Sequence, residues 1–186
     1  MRVIAGSAKG IPLKTIASRS TRPTIDRIKE NLFNIIRDFI PGAKVVDFFS
    51  GSGALCIESL SRGANQAILI EANPKAVEVI QHNLNKTRLN DRAQIWQGDF
   101  RRYIHQLVDA GPFGIIFIDP PHRSGLGEEA LQLINRYHLL ENDGIIIGEH
   151  HADEDYGDFV SGFERVRRVT YGNTAISIYM KDESNQ

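Results

Sequence analysis

The tetrapeptide Asp119-Pro120-Pro121-His122 directly follows the apolar run of residues 114–118. Such a run is typical of a buried strand in a parallel sheet, so the tetrapeptide is predicted at a strand's carboxyl end, where open α/β sheets bind ligands. Because prolines lack a backbone N–H and have a fixed φ, the turn offers the Asp119 carboxylate and the Pro120 carbonyl as acceptors. This pair suits an exocyclic amine with two hydrogens to donate. For the motif taken alone, a proline-rich loop that merely ends a strand is the alternative.

A second motif, Asp-Phe-Phe-Ser-Gly-Ser-Gly at residues 47–53, ends an earlier predicted strand and opens a helix. Gly51 and Gly53 allow a tight turn and let a ligand approach the backbone, while the helix N-terminus offers N–H groups. A dinucleotide-binding fingerprint requires a third small residue where this chain has Cys56, so the glycines alone are a weak signal. The cofactor-binding candidates in this motif are Asp47, Ser50, Gly51 and Gly53.

Carboxylates lie near the carboxyl ends of four successive predicted strands, namely Asp47, Glu71, Asp99 and Asp119. Because the carboxyl ends of parallel strands share one edge of a sheet, these acids repel one another unless a cationic or donor-rich ligand lies among them. Glu71 is placed where nucleoside-binding sheets put the carboxylate that accepts from both ribose hydroxyls. A pyrophosphate suits this row poorly, whereas S-adenosylmethionine suits it through its ammonium, sulfonium, ribose diol and adenine amine. Taken singly, each acid could instead cap a helix or lie on the surface.

The elements that position these residues follow from apolar periodicity. From Thr24 to Phe39 the apolar residues recur at spacings of three and four, which predicts an amphipathic helix ended by Pro41-Gly42. Strands are then predicted over residues 44–49, 67–71, 94–97, 114–118 and 144–149, and helices over residues 54–60, 74–85, 100–108 and 128–135. This alternation predicts a parallel sheet with helices on both faces.

The C-terminal region departs from that alternation. Residues 163–171 and 174–180 are predicted strands joined at Gly172-Asn173, and no crossover helix fits between them, so they must pair antiparallel. The predicted fold is therefore a doubly wound α/β, mostly parallel, seven-stranded, Rossmann-like sheet that ends in an antiparallel hairpin.

Composition is that of an ordinary soluble protein. The chain has 186 residues, 41% hydrophobic and 24% charged, which predicts one domain with a substantial core and no membrane span or signal peptide. A single cysteine, Cys56, allows no internal disulfide and fits a reducing compartment. We expect a cytoplasmic monomer, and we expect Cys56 to be a small buried apolar residue.

The net charge of −1 does not show that the N-terminal part of the chain is strongly basic. Residues 1–29 carry seven basic residues against Asp26 alone, a net charge of +6 that leaves −7 for the remainder. A basic arm on an acidic body is a footprint for nucleic acid, although a merely solvated basic surface is the alternative. Gly6, Gly10 and Pro12 predict a short β-hairpin, so residues 1–23 are assigned to the arm and residues 24–186 to the main domain.

No metal site is predicted. His150 and His151 precede Asp153, Glu154 and Asp155, but a solvated acidic loop explains this cluster better than metal ligation. His82, His105 and His138 are expected to be structural or surface residues.

In their order and placement at strand ends, the motifs at residues 47–53, 71, 99 and 119–122 resemble those of class I S-adenosylmethionine-dependent methyltransferases, whose sheet ends in the same hairpin. More narrowly, the chain resembles the bacterial RsmD family, which methylates guanine N2 in 16S ribosomal RNA. The specific likeness lies in Arg-Val-Ile-Ala-Gly at 2–6, Thr-Arg-Pro-Thr at 21–24, Asp26-Arg27, Glu-Asn-Leu-Phe at 30–33, and residues 47–55. The family has Tyr or Phe at the end of the Asp-Pro-Pro tetrapeptide, where this chain has His122.

The resemblance implies a role for each candidate residue. A guanine swung out of the RNA stack places its amine at Asp119 and the Pro120 carbonyl, and the residue at position 122 stacks on the base. Cofactor contacts are implied for Asp47, Ser50, Gly51, Gly53, Glu71 and Asp99. RNA contacts are expected from Arg2, Lys9, Lys14, Arg19 and Arg22.

Three alternatives stay open at this point. An adenine-N6 or other amino methyltransferase acting on DNA uses a similar tetrapeptide, and the N-terminal block argues against it. A nicotinamide-dependent oxidoreductase is disfavoured by Cys56 and by the terminal hairpin. A non-catalytic RNA-binding protein that retains a nucleoside pocket would bind the cofactor without transferring a methyl group.

Overall fold

The computed structural model describes residues 1–16 and 22–182. Its helices are α1 (Arg22–Ile35), α2 (Ala54–Ser61), α3 (Pro74–Thr87), α4 (Ile104–Ala110) and α5 (Leu126–Arg136). Its strands are β1 (Lys44–Asp47), β2 (Gln66–Glu71), β3 (Ala93–Gln97), β4 (Phe113–Ile118), β5 (Leu140–His151), β6 (Phe159–Val160), β7 (Phe163–Tyr171) and β8 (Thr174–Lys181). Short 3₁₀ turns occupy Arg37–Phe39, Asn90–Arg92 and Phe100–Tyr103.

The strands form one eight-stranded sheet in the order β3-β2-β1-β4-β5-β8-β7-β6. The five strands from β3 to β5 are parallel, and β8, β7 and β6 add antiparallel pairs. The α/β fold and the closing hairpin are thus confirmed. Seven strands were predicted and the sheet has eight. The additional strand, β6, was not predicted because its two residues are too few to show a periodic pattern. The strand order reverses between β1 and β4, which makes the carboxyl edge there a ligand-binding crevice.

Helices cover both faces of the sheet. Successive side chains along a strand point to opposite faces, and apolar residues on both faces have to be buried. On one face Val45 and Phe117 pack in a cluster with residues of α1, α2 and α3, among them Phe33, whose ring centroid lies 6.3 Å from that of Phe117. On the other face Val46 and Ile116 pack in a cluster with residues of α4 and α5. Cys56 is fully buried in the first cluster, as predicted.

Some element boundaries differ from the predictions for local reasons. The predicted strand at residues 44–49 ends at Asp47, because the Asp47 carboxylate accepts the N–H of Phe49 and turns the chain. The predicted helix at residues 100–108 begins as a 3₁₀ turn capped by Asp99 and becomes α-helical only at Ile104. The first helix ends at Ile35 and is followed by a separate 3₁₀ turn at Arg37–Phe39.

The N-terminal segment forms a short hairpin with one antiparallel bridge, between Arg2 and Pro12. Its apolar residues Val3, Ala8 and Leu13 are buried in the first core cluster. Gly6 adopts a φ of +84°, and a Cβ there would lie 1.8 Å from the carbonyl oxygen of Ser61, so a side chain would prevent this close approach. The segment is therefore docked on the end of α2, while its assignment as a unit of residues 1–23 stays a prediction.

A buried carboxylate, Glu58 on α2, anchors this segment. It accepts the N–H groups of Ile4 and Ala5 at 2.9 and 3.0 Å, and it pairs with Lys29 at 3.2 Å and Arg62 at 2.8 Å. With two cations and two amides around it, Glu58 meets the condition for a buried charge. No helix in the described ranges is long and apolar enough to cross a membrane.

Candidate functional site

A cavity of about 470 Å³ opens at the carboxyl edge of the sheet, where the strand order reverses. Its size is within the range of small-molecule sites. Its wall is formed by the N-terminal residue with α1, the end of β1 with the loop after it, the start of α2, the ends of β4 and β5, and the β7–β8 turn. The lining residues from the strand ends and the loop are Asp47, Phe49, Ser50, Gly51, Ser52, Asp119 and Glu149.

Asp47 ends β1 and is only 1% exposed. Its carboxylate accepts the N–H of Phe49 at 3.0 Å, and its carbonyl accepts the hydroxyl of Ser50 at 3.2 Å. Burial raises the pKa of Asp47 from 3.8 to about 7, and the nearby carboxylates of Glu71 and Glu149 act in the same direction. Asp47 thus shapes the loop and gives the cavity an acidic floor.

The glycine loop is braced by Glu71. The Glu71 carboxylate accepts the N–H of Gly51 at 2.7 Å with one oxygen and the N–H of Asn73 at 2.8 Å with the other. Gly51 has a φ of +54° and would place a Cβ in open space, so only backbone borders the cavity there. Gly53, the N-cap of α2 at φ +78°, would place a Cβ 3.0 Å from Leu69. The loop therefore packs closely against the core at Gly53 and leaves its backbone open to the cavity at Gly51.

Asp119 follows β4 and is open to the cavity. Within the described ranges no hydrogen bond or ion pair reaches its carboxylate. Surrounding protein atoms limit its hydration, and together with the carboxylates of Glu149 and Asp47 they raise its pKa well above the usual range. Asp119 is therefore an acceptor that faces the cavity and has no donor among the described residues.

Glu149 is a cavity carboxylate that sequence reasoning missed. It lies near the end of β5, and the pairing of Ile118 with Gly148 places Asp119 and Glu149 side by side, one residue further along. Burial raises the pKa of Glu149 as well. The signal that could have found it is the rule that identified the other acids, since Glu149 ends the predicted strand at residues 144–149.

Two members of the predicted row, Glu71 and Asp99, do not line this cavity. Asp99 lies instead at the start of a 3₁₀ turn. Its carboxylate caps the 3₁₀ turn through the N–H of Arg101 at 2.9 Å and pairs with the Arg101 guanidinium. The hydrogen bond from Arg101 holds the pKa of Asp99 below its usual value. Its contact with a cofactor stays a prediction, as do those of Ser50, Gly53 and Glu71.

His122 and Pro120 lie just outside the main cavity. The His122 imidazole bonds through Nδ1 to Glu154 at 2.8 Å, and its ring centroid lies 4.6 Å from that of His151. Pro120 borders a neighbouring cavity of about 190 Å³ together with Tyr156, an aromatic residue that was not singled out in the sequence. His122, His151 and Asp153 have ligand atoms within 4.8 Å of one another, but Asp153 is already paired with Arg123 at 2.8 Å. We assign no metal to this exposed group.

Of the predicted RNA contacts, Arg2, Lys9 and Lys14 are exposed. Arg2 and Lys9 border a groove of about 590 Å³ that also includes Arg27. Arg19 lies outside the described residues, and Arg22 begins α1 with a side chain that is outside them too.

Asn83 on α3 connects the N-terminal segment to the glycine loop. Its side chain accepts the N–H of Lys14 at 2.8 Å and donates to the carbonyls of Lys14 and Ser52, both at 2.9 Å. Lys29 makes a second connection, because it lines the cavity while its ammonium donates to the carbonyl of Arg2 at 2.5 Å. Burial lowers the pKa of Lys29. The N-terminal segment is thus joined to the cavity wall at two places.

The donor set fits S-adenosylmethionine. The carboxylate floor at Asp47 suits a ligand rich in N–H groups and positive charge. The exposed loop backbone at Gly51 admits close approach of such a ligand.

Comparisons with known proteins agree with this geometry. The family model described as Conserved hypothetical protein 95 matches residues 1–180. The Bacillus subtilis protein YlbH, named provisionally as an rRNA methyltransferase, is 40% identical over 183 residues, which cover 97% of this chain and 99% of YlbH. Ribosomal RNA small subunit methyltransferase D of Escherichia coli K12 is 30% identical over 186 residues, 100% of this chain and 92% of that protein. The solved structure of E. coli YhhF, described provisionally as a methyltransferase, has a TM-score of 0.81 at 31% identity and covers 98% of both chains.

Proposed function

The chain belongs to the RsmD family, the family that the Conserved hypothetical protein 95 model describes, and we propose that it transfers a methyl group from S-adenosylmethionine to N2 of a guanine in 16S ribosomal RNA. One observation carries the proposal. The Asp119 carboxylate, which is followed by two prolines and has no donor in the part of the chain that the structure describes, faces a cavity that a glycine loop and an acidic floor complete.

When bound, S-adenosylmethionine supplies an electrophilic methyl group. The glycine loop with Asp47 and Ser50 would hold it, Glu71 would accept from the ribose hydroxyls, and Asp99 would accept from the adenine amine. Glu71 and Asp99 already accept protein hydrogen bonds, but each carboxylate oxygen has a second lone pair for a ligand.

Asp119 and Pro120 position the target amine in this proposal. The guanine amine is a weak nucleophile because its lone pair is delocalised into the ring. Hydrogen bonds from its two hydrogens to the Asp119 carboxylate and the Pro120 carbonyl favour a pyramidal nitrogen with a localised lone pair. The amine must also lose one proton on methylation, and a carboxylate with a raised pKa is the better acceptor for it.

The remaining residues bind the RNA. His122 would stack on the base that has left the RNA helix, and Arg2, Lys9, Lys14, Arg19 and Arg22 would contact phosphates. We propose that the enzyme acts as a cytoplasmic monomer on ribosomal RNA, either free or in the small ribosomal subunit particle.

Methylation of RNA from cells that lack the protein tests the proposal. The purified protein is incubated with S-adenosylmethionine carrying a labelled methyl group and with either free 16S RNA or small subunits, and the nucleosides are then identified. We expect N2-methylguanosine at one position. Labelled N6-methyladenine, or cofactor binding without any transfer, would overturn the assignment.

A further inference from the structure

Glu149 is a second carboxylate at the place where the proposed reaction occurs. It lies beside Asp119 because β4 and β5 are parallel and paired at Ile118 and Gly148, so both side chains extend the same face of the sheet. That face is also the one on which Phe117 and Ile147 enter the core cluster. Both carboxylates line the same cavity.

Neither carboxylate has a protein donor in the described part of the chain. Two such acids at adjacent strand ends repel each other, and both lose hydration in the cavity, so each raises the cost of ionising the other. Hydrogen bonds from a ligand with several N–H groups on one edge would relieve this and favour the charged form of both acids. The neighbouring acid Asp47 differs from these two, because its carboxylate already accepts a hydrogen bond from the N–H of Phe49.

Guanine presents such an edge. Its N1–H and both hydrogens of N2 are adjacent donors, whereas the same edge of adenine has an acceptor at N1 next to its amine. With the amine directed at Asp119 and Pro120, the N1–H is the donor left over, and Glu149 is the neighbouring acceptor.

We propose that Glu149 accepts a hydrogen bond from N1–H of the target guanine and thereby makes the enzyme select guanine over bases that have an acceptor at N1. This inference rests on the proposed function. It assigns substrate specificity to Glu149 and leaves amine positioning to Asp119. A lost hydrogen bond to a charged group corresponds to about a ten- to hundredfold change in preference.

The test replaces the target guanine by 2-aminopurine, which keeps the N2 amine but has an unprotonated N1. Single-turnover methylation of synthetic RNA or reconstituted particles with either base is measured for the parent and for Glu149→Gln, whose amide can donate to N1. We expect the parent to prefer guanine by tenfold or more. We expect Glu149→Gln to shift that ratio toward 2-aminopurine by at least tenfold, with unchanged affinity for the cofactor product S-adenosylhomocysteine.

Glu141→Gln is the matched control, since Glu141 lies on the same strand at its opposite end and borders a different cavity. Thermal unfolding verifies that both variants fold, and the fluorescence of 2-aminopurine measures base binding independently of the reaction. A base ratio that Glu149→Gln leaves unchanged, including equal loss of both reactions, overturns the inference, and so does a weakened cofactor affinity. If the parent methylates no guanine at all, the proposed function itself has failed.

Discussion

Asp119, which directly follows β4, and Glu149 on the adjacent parallel strand β5 each lie one residue beyond the paired Ile118 and Gly148. Asp47 continues the same face of β1, where it pairs with Phe117. The acidic character of the cavity is therefore a consequence of strand register, because each of three neighbouring strands has a carboxylate within two residues of its carboxyl end. The pKa values of all three are raised, chiefly because surrounding protein atoms limit the hydration of their carboxyl groups.

Replacement of Asp119 should abolish most methyl transfer. Asp119→Asn and Asp119→Ala remove the charged acceptor for the amine, and loss of one positioned polar group costs about 10²–10³-fold in rate. Cofactor affinity should change little. Single-turnover rates and calorimetry measure the two effects, with Asp109→Asn on the exposed side of α4 as the control. Rates within a few-fold of the parent would remove Asp119 from this role.

Glu71→Ala should weaken binding of S-adenosylmethionine by about ten- to a hundredfold, because one hydrogen bond to a charged group contributes roughly 1.5–3 kcal/mol. Loss of the brace at Gly51 acts in the same direction. Calorimetry on the folded variant measures the affinity, and Glu78→Ala on the exposed face of α3 is the matched control. Unchanged affinity would exclude Glu71 from the cofactor site.

Asp47→Asn should stabilise the ligand-free protein at high pH. The unfolded chain releases the Asp47 proton near its ordinary pKa of 3.8, whereas the folded protein holds it to about 7, so ionisation disfavours folding progressively between these values. Each pKa unit corresponds to about 1.4 kcal/mol, which gives a gain on the order of 4 kcal/mol above pH 7 and none below pH 4. Denaturant unfolding of parent and variant across this range is the measurement. A difference that does not vary with pH would contradict the raised pKa.

The alternation of strands and helices, the terminal hairpin and the placement of Asp47 and Asp119 at strand ends could be predicted, because apolar runs and turn residues are local signals. Glu149 also ends a predicted strand, but it was not singled out. Its position in the site depends on which strand lies beside β4, and local sequence signals do not give that. The pairing of Asp99 with Arg101 could not be predicted. Arg101 is positioned by a 3₁₀ turn whose sequence pattern resembles that of an ordinary helix start.

The N-terminal segment shows a second limit of the sequence. Its charge and glycines predicted a basic hairpin, and the structure has one. Its attachment through Glu58 and Asn83 depends on side chains 53 to 69 residues away in the chain. Such long-range capture of backbone groups leaves no periodic signal, so the contact between this segment and the glycine loop is found only from the fold.

Removal of the arm's charges should flatten the salt dependence of RNA binding. Lys9 and Lys14 are exposed, and each lost phosphate contact changes the slope of log affinity against log salt by roughly 0.7–0.9. The variant with Lys9, Lys14 and Arg19 all changed to Gln is compared with a Lys75→Gln, Lys86→Gln variant, which alters two exposed charges on α3. Equal slopes of log affinity against log salt for the parent and the arm variant would show that the arm is an ordinary solvated surface without phosphate contacts.

His122 is where this chain departs from the family's Tyr or Phe, and its imidazole is held at one edge by Glu154. An edge-bound ring can still present a face to a base, so His122→Ala should lose stacking worth about 1–3 kcal/mol, a five- to 150-fold fall in kcat/KM. His122→Tyr should retain activity, because a larger ring replaces the stacking surface. Methylation rates of both variants are compared with those of His82→Ala, which removes an exposed imidazole on α3.

Glu154→Ala separates stacking from orientation. If the hydrogen bond that Glu154 accepts from His122 holds the imidazole ring, this variant should lower kcat/KM in the parent background and leave the His122→Tyr background unchanged, because the phenol ring does not use that bond. The Arg123 N–H, which Glu154 also accepts, is present in both backgrounds and cancels in the comparison. An Ala variant at position 122 as active as the parent would show that His122 only ends the turn after Pro121.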